Sequence, residues 1–460
     1  MAFLDGTVVN VALPAIGRDF GGGLSGLQWT LDAYLLTLGS LLLLGGALGD
    51  RYGRRRVFVT GLVSFSAASA LCGMAPSLGA LIVARAVQGV GGALLVPGSL
   101  ALLSASFHPH DRGRAVGAWS GLAGVASAIG PFVGGWLVDA VSWRLVFLIN
   151  LPLAAVTVWV VRSHVPESRD AGALAGGRLD VAGAAATTVG LAGVVYALIE
   201  GSARGLSVRV VVAALIGAAA LIAFPLVERG QAEPLVPLEL FRSRQFSGAN
   251  ATTFAVYGAF GGALFLFVVL LQQALGYSAL EAGASMLPVT VILVLLSART
   301  GRLAQRIGPR TPMTVGPLIA AGGLLLMSRV GPGDHYASGV LPGVVVFGLG
   351  LSFTVAPLTA AVMAAVEERH LGVGSGVNNA VARVAGLLSV ALLPALAGLS
   401  GVDPADPAFA PGVGTALGIA AGLCAAGGLV ANLSVRTSVR VRPATQPGMT
   451  MACNDPALRR

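Results

Sequence analysis

The sequence predicts an all-α protein that crosses a membrane many times, and three observations carry that prediction. The chain is 55% hydrophobic and 11% charged, with a mean hydropathy of +0.83, far from the composition of soluble domains. Its apolar residues come in runs close to the ~20 that a helix needs to cross ~30 Å of hydrocarbon. Its net charge of +9 comes from 29 basic residues, all arginine, that gather in short breaks between those runs. In a soluble chain such a total would suggest nucleic acid as a partner. Placed in loops between spans, it is explained by membrane topology instead.

Taken in order, the runs number fourteen. The first, 3–16, is far short of a crossing and is closed by Arg18-Asp19, so Met1 is expected to lie inside helix 1 with about half a helix upstream. No cleavable signal peptide is expected. Spans 2 to 6 are expected at about 29–48, 57–75, 78–105, 115–139 and 143–161. Residues 1–161 thus form one bundle of six helices, and the polar, Pro- and Gly-containing stretch 162–180 reads as a linker. Spans 7 and 8, about 181–200 and 208–227, make an extra pair within 181–228. A polar stretch follows at 229–245, where Pro234 to Arg242 is suited to lie along the membrane surface. Spans 9 to 14, about 246–272, 281–298, 312–328, 338–365, 374–398 and 411–431, fill a second six-helix bundle over 246–432. The tail, 433–460, is basic and Pro-containing. Cys72, Cys424 and Cys453 are too scattered for a metal site or a disulfide framework, so no metal or other cofactor is expected.

Arginine placement tests this layout. If span 2 ends in the cytoplasm, 22 arginines fall on the cytoplasmic side, five on the other side, and Arg85 and Arg383 inside spans. A span miscounted midway would swap every later loop and erase that asymmetry. Both termini are therefore expected in the cytoplasm of a multi-pass plasma-membrane protein. An internal repeat points the same way: Gly46, Leu48, Arg51, Gly53 and Arg55 return at a constant offset as Gly301, Leu303, Arg306, Gly308 and Arg310, with Asp50 replaced by Gln305. Two related halves with a site between them are a common transporter plan.

Four stretches carry the functional reading. In Gly46-Ala-Leu-Gly-Asp-Arg-Tyr-Gly-Arg-Arg-Arg56, Gly46, Gly49 and Gly53 allow a tight turn between helices. Asp50 sits at a helix C-terminus, where the dipole disfavours an anion, so it needs a partner: a neighbouring arginine (Arg51, Arg54, Arg55) or another helix's N-terminus. Asp5 lies in the apolar run of helix 1, with Asn10 nearby. A carboxylate removed from water favours its protonated form, the property a proton carrier requires; alternatively Asp5 is a solvated terminal residue. Arg85 in span 4 must find an anion, a carbonyl or water, with Gln88 one turn away, unless it snorkels to the span's end. In span 5, Pro131 kinks the helix while Gly130, Gly134 and Gly135 permit close packing. Asp32 is either a solvated end residue or a second acidic group, and Asp139 reads as a helix-end residue. Tyr257 and Gln272 could line a cavity or bond between helices. Pro166-Glu-Ser-Arg169 is a short fragment similar to a sugar-porter signature.

These stretches resemble signatures of the major facilitator superfamily. Gly46 to Arg55 resembles its loop 2–3 motif, which implies a cytoplasmic gate. Leu4 to Pro14 resembles helix 1 of its fourteen-helix drug:proton antiporters, and Arg85 to Gly91 resembles a helix 4 motif implicated in proton transfer. The span 5 stretch resembles the antiporter motif, with Ala126 in place of the usual leading glycine. The resemblance implies a proton-coupled exporter of small hydrophobic or cationic compounds or antibiotics. It would work by alternating access, as a monomer in the lipid bilayer, with no cofactor beyond the proton gradient and no nucleic acid. Proton coupling falls to Asp5, Arg85 and Asp32, and the cargo cavity to Asn10, Gln88, Tyr257 and Gln272. The rivals are a metabolite symporter of the same superfamily, a polytopic membrane enzyme and a non-transporting sensor. An enzyme would need clustered acids, His ligands or a nucleophile–base pair within the spans, and the sequence shows no Asp-rich cluster and no His pair suited to a metal there.

Overall fold

The structure, a computed structural model, describes residues 1–107, 109–169, 179–231, 234–367 and 370–436. The middle of the expected linker and nearly all of the expected tail lie outside the described residues. Among the described residues the regular structure is entirely helical. That follows from burial in hydrocarbon, where each backbone polar group must be satisfied within its own segment. The first half contains α1 (Ala2–Phe20), α2 (Leu24–Tyr52), α3 (Arg54–Gly73), α4 (Leu78–Ser106), α5 (Pro109–Ala140), α6 (Leu145–Leu148) and α7 (Asn150–His164). A pair follows, α8 (Val181–Arg204) and α9 (Val208–Gly230). The second half contains α10 (Arg244–Gln273), α11 (Ala279–Ser285), α12 (Leu287–Ile307), α13 (Arg310–Met327), α14 (Leu341–Ala364), α15 (Leu371–Leu396) and α16 (Phe409–Ser434). Among the described residues, eleven helical segments are long and apolar enough to cross a membrane. Helices α1, α5 and α13 occupy the places of the other three expected spans.

Three elements differ from the expectation. Helix α1 does not stop at Ile16; it runs on through Arg18-Asp19 to a left-handed Gly21 at φ 66°. Asp19 is accommodated because it accepts hydrogen bonds from the Trp143 indole (3.0 Å) and Arg144 (2.8 Å). Its 19 residues extend ~28 Å at ~1.5 Å each, close to a crossing. Span 6 is broken into α6 and α7 ahead of Pro152, and span 10 into α11 and α12 ahead of Pro288. In each case the proline lacks the N–H that a continuous helix would need.

The repeat is visible in the backbone. Gly53 (φ 111°) turns α2 into α3, and Gly308 (φ 85°) turns α12 into α13. Positive φ at both places is why each copy keeps its glycine. The extra pair packs on the seam where the halves meet. Leu191, Val195 and Ile199 of α8 form one buried cluster with Leu36 of α2 and with Leu387 and Ala391 of α15. Large apolar side chains of α9, among them Leu215, Ile216, Ile222 and Leu226, are exposed, as suits a lipid-facing helix.

The cores differ between the two faces of the molecule. On the face away from the arginine-rich loops, one cluster runs through both halves, from Val8, Leu13 and Phe147 to Phe265, Phe347 and Phe409. Toward the arginine-rich face the core divides. One cluster around Leu38, Phe58 and Phe65 belongs to the first half, and another around Phe246, Met313 and Leu358 belongs to the second.

Candidate functional site

Five segments of the first half converge on one buried cluster of polar groups. Helix α1 supplies Asp5, and α4 supplies Arg85 and Gln88, which share a face at i, i+3. Ser69 and Cys72 come from α3, and Thr30 and Tyr34 from α2. Phe147 and Asn150 flank the break between α6 and α7. Asp5 is 0% exposed and Arg85 1%.

The cluster is closely bonded. Arg85 Nη1 donates to Asp5 Oδ2 (2.7 Å) and to Gln88 Oε1 (2.6 Å), while its Nε donates to the Thr30 carbonyl (3.1 Å). The guanidinium carbon stands 4.3 Å from the centre of the Tyr34 ring and 5.7 Å from that of Phe147. Both ring faces favour a cation there. Asp5 Oδ1 accepts from Gln88 Nε2 (2.9 Å) and Asn150 Nδ2 (3.2 Å). Ser69 Oγ accepts from both amides and donates to the Phe147 carbonyl (2.8 Å). One acceptor is left idle: Asn150 Oδ1 is buried with no partner. Arg85 therefore does not snorkel, and Asp5 is no solvated terminal residue. Gln88 belongs to this enclosed network.

Asp32 is also fully buried, and neither of its oxygens has a partner. On α2 it lies between Gln28, which donates to the Val390 carbonyl of α15 (2.7 Å), and Leu36, which packs on α8 and α15. Among the described residues it is an acid without a partner at the seam between the halves, so the reading as a solvated end residue is ruled out.

The span 5 glycines are contact points. Gly130 faces Thr7, and Gly134 faces Val8 and Val11, all on α1. Gly135 faces the backbone of Ala279 and Leu280 in the other half, and the Pro131 carbonyl lies against Gly283. Asp139, read from sequence only as a helix-end residue, accepts the backbone N–H groups of Ala279 (3.1 Å) and Leu280 (2.7 Å). It adds a second set of acceptors at the N-terminus of α11, beside the Ser278–Glu281 capping box, and does so across the two halves. Gln272 Nε2 ties the halves again through the Val11 carbonyl (3.0 Å), so it bonds between helices. Asn10 bonds to Gly6 in its own helix, and Tyr257 is half-buried in the second half's cluster.

On the arginine-rich face, Asp50 pairs with Arg54 (2.7 Å), the neighbouring-arginine solution. The N-terminus of α3 is taken by Glu167, which accepts from the backbone of Arg55 (2.9 Å) and Arg56 (3.1 Å). Arg55 Nη1 donates to the Val165 carbonyl (2.9 Å), and Arg51 lies 5.8 Å over Tyr52. A side chain at Gly53 would meet the Glu167 carboxylate, Gly46 faces Pro97, and among the described residues no neighbouring element lies within 4 Å of where a Gly49 Cβ would stand. The short Pro166-Glu-Ser-Arg169 fragment thus has a local role, with an anion on a helix N-terminus. Sequence reasoning missed Ser69, Asn150, Thr30 and Tyr34. Asn150, a polar residue in an apolar run, was the one available signal.

The sequence model of the Major Facilitator Superfamily matches residues 1–390. The chain belongs to that superfamily. Among curated relatives, the multidrug resistance protein Stp of Mycobacterium tuberculosis (strain CDC 1551 / Oshkosh) is 35% identical over 396 residues, covering 85% of this chain and 73% of Stp. The puromycin resistance protein pur8 of Streptomyces alboniger is 37% identical over 399 residues, covering 85% and 78%. Among solved structures, an auto-inhibited POT family peptide transporter superposes with a TM-score of 0.67 at 15% identity, covering 96% of this chain and 97% of that one. At that identity the likeness concerns the superfamily fold alone. The protein is a membrane transporter of this superfamily.

Proposed function

We propose that the protein is a proton-driven exporter of small hydrophobic or cationic compounds, antibiotics among them, working by alternating access in the plasma membrane. The observation that carries this reading is the buried Asp5–Arg85 pair, because an ion pair enclosed among spans is costly and marks a working site. The names of Stp and pur8 support drug and antibiotic export.

The network can serve both charge states of Asp5. With Asp5 charged, Arg85, Gln88 and Asn150 all donate to it. When Asp5 takes a proton, Arg85 keeps the Thr30 carbonyl, Gln88 and the two ring faces. Asn150 can then turn its amide and offer its idle Oδ1 to the new Asp5 O–H. Loss of the ion pair frees α1 from α4, and α1 bears directly on the span 5 glycines. Proton loading is thereby coupled to the α5 contacts that hold the halves together on one face. That face is the outer one in this reading, so the form seen here opens to the cytoplasm, and both termini lie inside. The Asp50–Arg54 pair and Glu167 brace the cytoplasmic loop that closes in the alternative state. Asp32 provides a second proton site at the seam. The transporter acts as a monomer, and the proton gradient is its energy source.

The test is uptake of a fluorescent lipophilic cation into proteoliposomes with an acidic lumen. Wild type should accumulate it only while the gradient stands, and Asp5→Asn should match protein-free vesicles. Wild-type uptake that ignores the gradient would exclude antiport.

A further inference from the structure

The pair α8–α9 contains a second group of buried acids, remote from the Asp5 network. Asp180 caps α8, its Oδ1 accepting from the Gly183 N–H (2.7 Å). Glu228, in the last turn of α9, accepts from the Val236 N–H at Oε2 (3.2 Å), within the strap that leads to α10. Each carboxyl thus uses one oxygen on a backbone amide. The remaining oxygens, Asp180 Oδ2 and Glu228 Oε1, are buried without a donor. They converge: both lie against the single point where a Gly183 Cβ would stand, and the carboxyls are within hydrogen-bonding reach of each other. The residues are 1% and 2% exposed.

Two acceptors cannot satisfy each other, and a buried acceptor with no donor is unfavourable. A single proton resolves both defects, since a protonated carboxyl donates and a carboxylate accepts. We propose that Asp180 and Glu228 share one proton, and that this proton fastens the start of α8, the end of α9 and the strap at Val236 into one unit. Among the described residues Asp180 is the charge that bears on Glu228. Arg229 on α9, Glu239 and Arg242 in the strap, and Arg244 at the start of α10 are exposed to solvent. The uncharged Ala184 and Thr187 follow on α8. The proton binds at the end of the pair next to the arginine-rich loops, so its occupancy follows the pH of that side. As pH rises the proton leaves, two unpaired carboxylates face each other, and the strap loosens.

Hydrogen exchange of the strap, read by mass spectrometry on the full chain in detergent, tests this. Rates are corrected for the intrinsic effect of pH. Between about pH 6 and about pH 9, wild-type protection near Val236 should fall by about tenfold or more. Glu228→Gln and Asp180→Asn each supply an amide donor in place of the proton, and Asn still caps α8. Both variants should stay protected across the range. A wild type with no such loss, or variants that lose protection as wild type does, would overturn the proposal. So would a loss reversed at fixed pH by sodium, potassium or calcium, which would assign the site to a metal ion. A response abolished by Arg178→Gln would assign the counter-charge to that arginine instead.

Discussion

Arg85 and Asp5 are unequal partners. Arg85 has a carbonyl, an amide and two ring faces besides Asp5, whereas among the described residues the side-chain ion pair of Asp5 is with Arg85. Arg85→Ala therefore strands a buried carboxylate and should destabilise the protein by about 3–5 kcal/mol. Asp5→Asn leaves the guanidinium with its other partners and should cost less. Thermal unfolding in detergent gives the order, and a less stable Asp5→Asn would reverse the argument. Asn150→Leu keeps the Arg85 and Gln88 bonds to Asp5 but deletes the idle acceptor. It should leave cargo binding unchanged and slow proton-coupled exchange about tenfold, the rate equivalent of ~1.4 kcal/mol for one unmade buried hydrogen bond. Exchange at the wild-type rate would remove Asn150 from the proton step. Asp5 and Arg85 were legible in the sequence because charge is rare in apolar runs. Asn150 was visible only as a polar residue in an apolar run; its value lies in an oxygen with no partner, which only the packed helices define.

Between helices, the face that carries the shared core is held by small residues and one cap. Gly283→Val would drive a branched side chain into the Pro131 carbonyl. Such overpacking commonly costs about 1–3 kcal/mol, here charged to the closed arrangement of that face. Asp139→Ala leaves the Ser278–Glu281 capping box but removes the cross-half acceptor of the Ala279 and Leu280 N–H groups, at about 1 kcal/mol, about a fivefold shift in a two-state equilibrium. Both substitutions should move the molecule toward the alternative state, measured as distances between spin labels on α5 and α11. An unchanged distance distribution in both variants would deny this contact a role in the switch. The glycines of span 5 and the kink at Pro131 were readable as packing devices. Their partners were not, since a cap reaching from Asp139 to Ala279 joins residues far apart in the chain and leaves no local pattern. The breaks ahead of Pro152 and Pro288 were written in the sequence, yet hydropathy averages over a single missing hydrogen bond.

Across the whole molecule, composition and loop arginines gave the helical, membrane-spanning class, and the turn at Gly53 foretold its copy at Gly308. The place of α8–α9 over the seam between α2 and α15 could not be read, because Leu191, Val195 and Ile199 look the same whether they face lipid or protein. One core is shared by both halves on one face and divides on the other, so a rocking motion breaks the shared side and slides the α2–α15 seam at Leu36, Leu387 and Ala391. The coupling of that motion to Asp5 is the central claim, and cargo-driven proton movement tests it most directly. Sealed proteoliposomes carrying a pH-sensitive dye receive a lipophilic cation with no gradient imposed. Wild type should shift the luminal pH as cargo crosses, and Asp5→Asn should bind the cation yet leave the luminal pH unchanged. A luminal pH shift in Asp5→Asn as fast as in wild type would contradict the account.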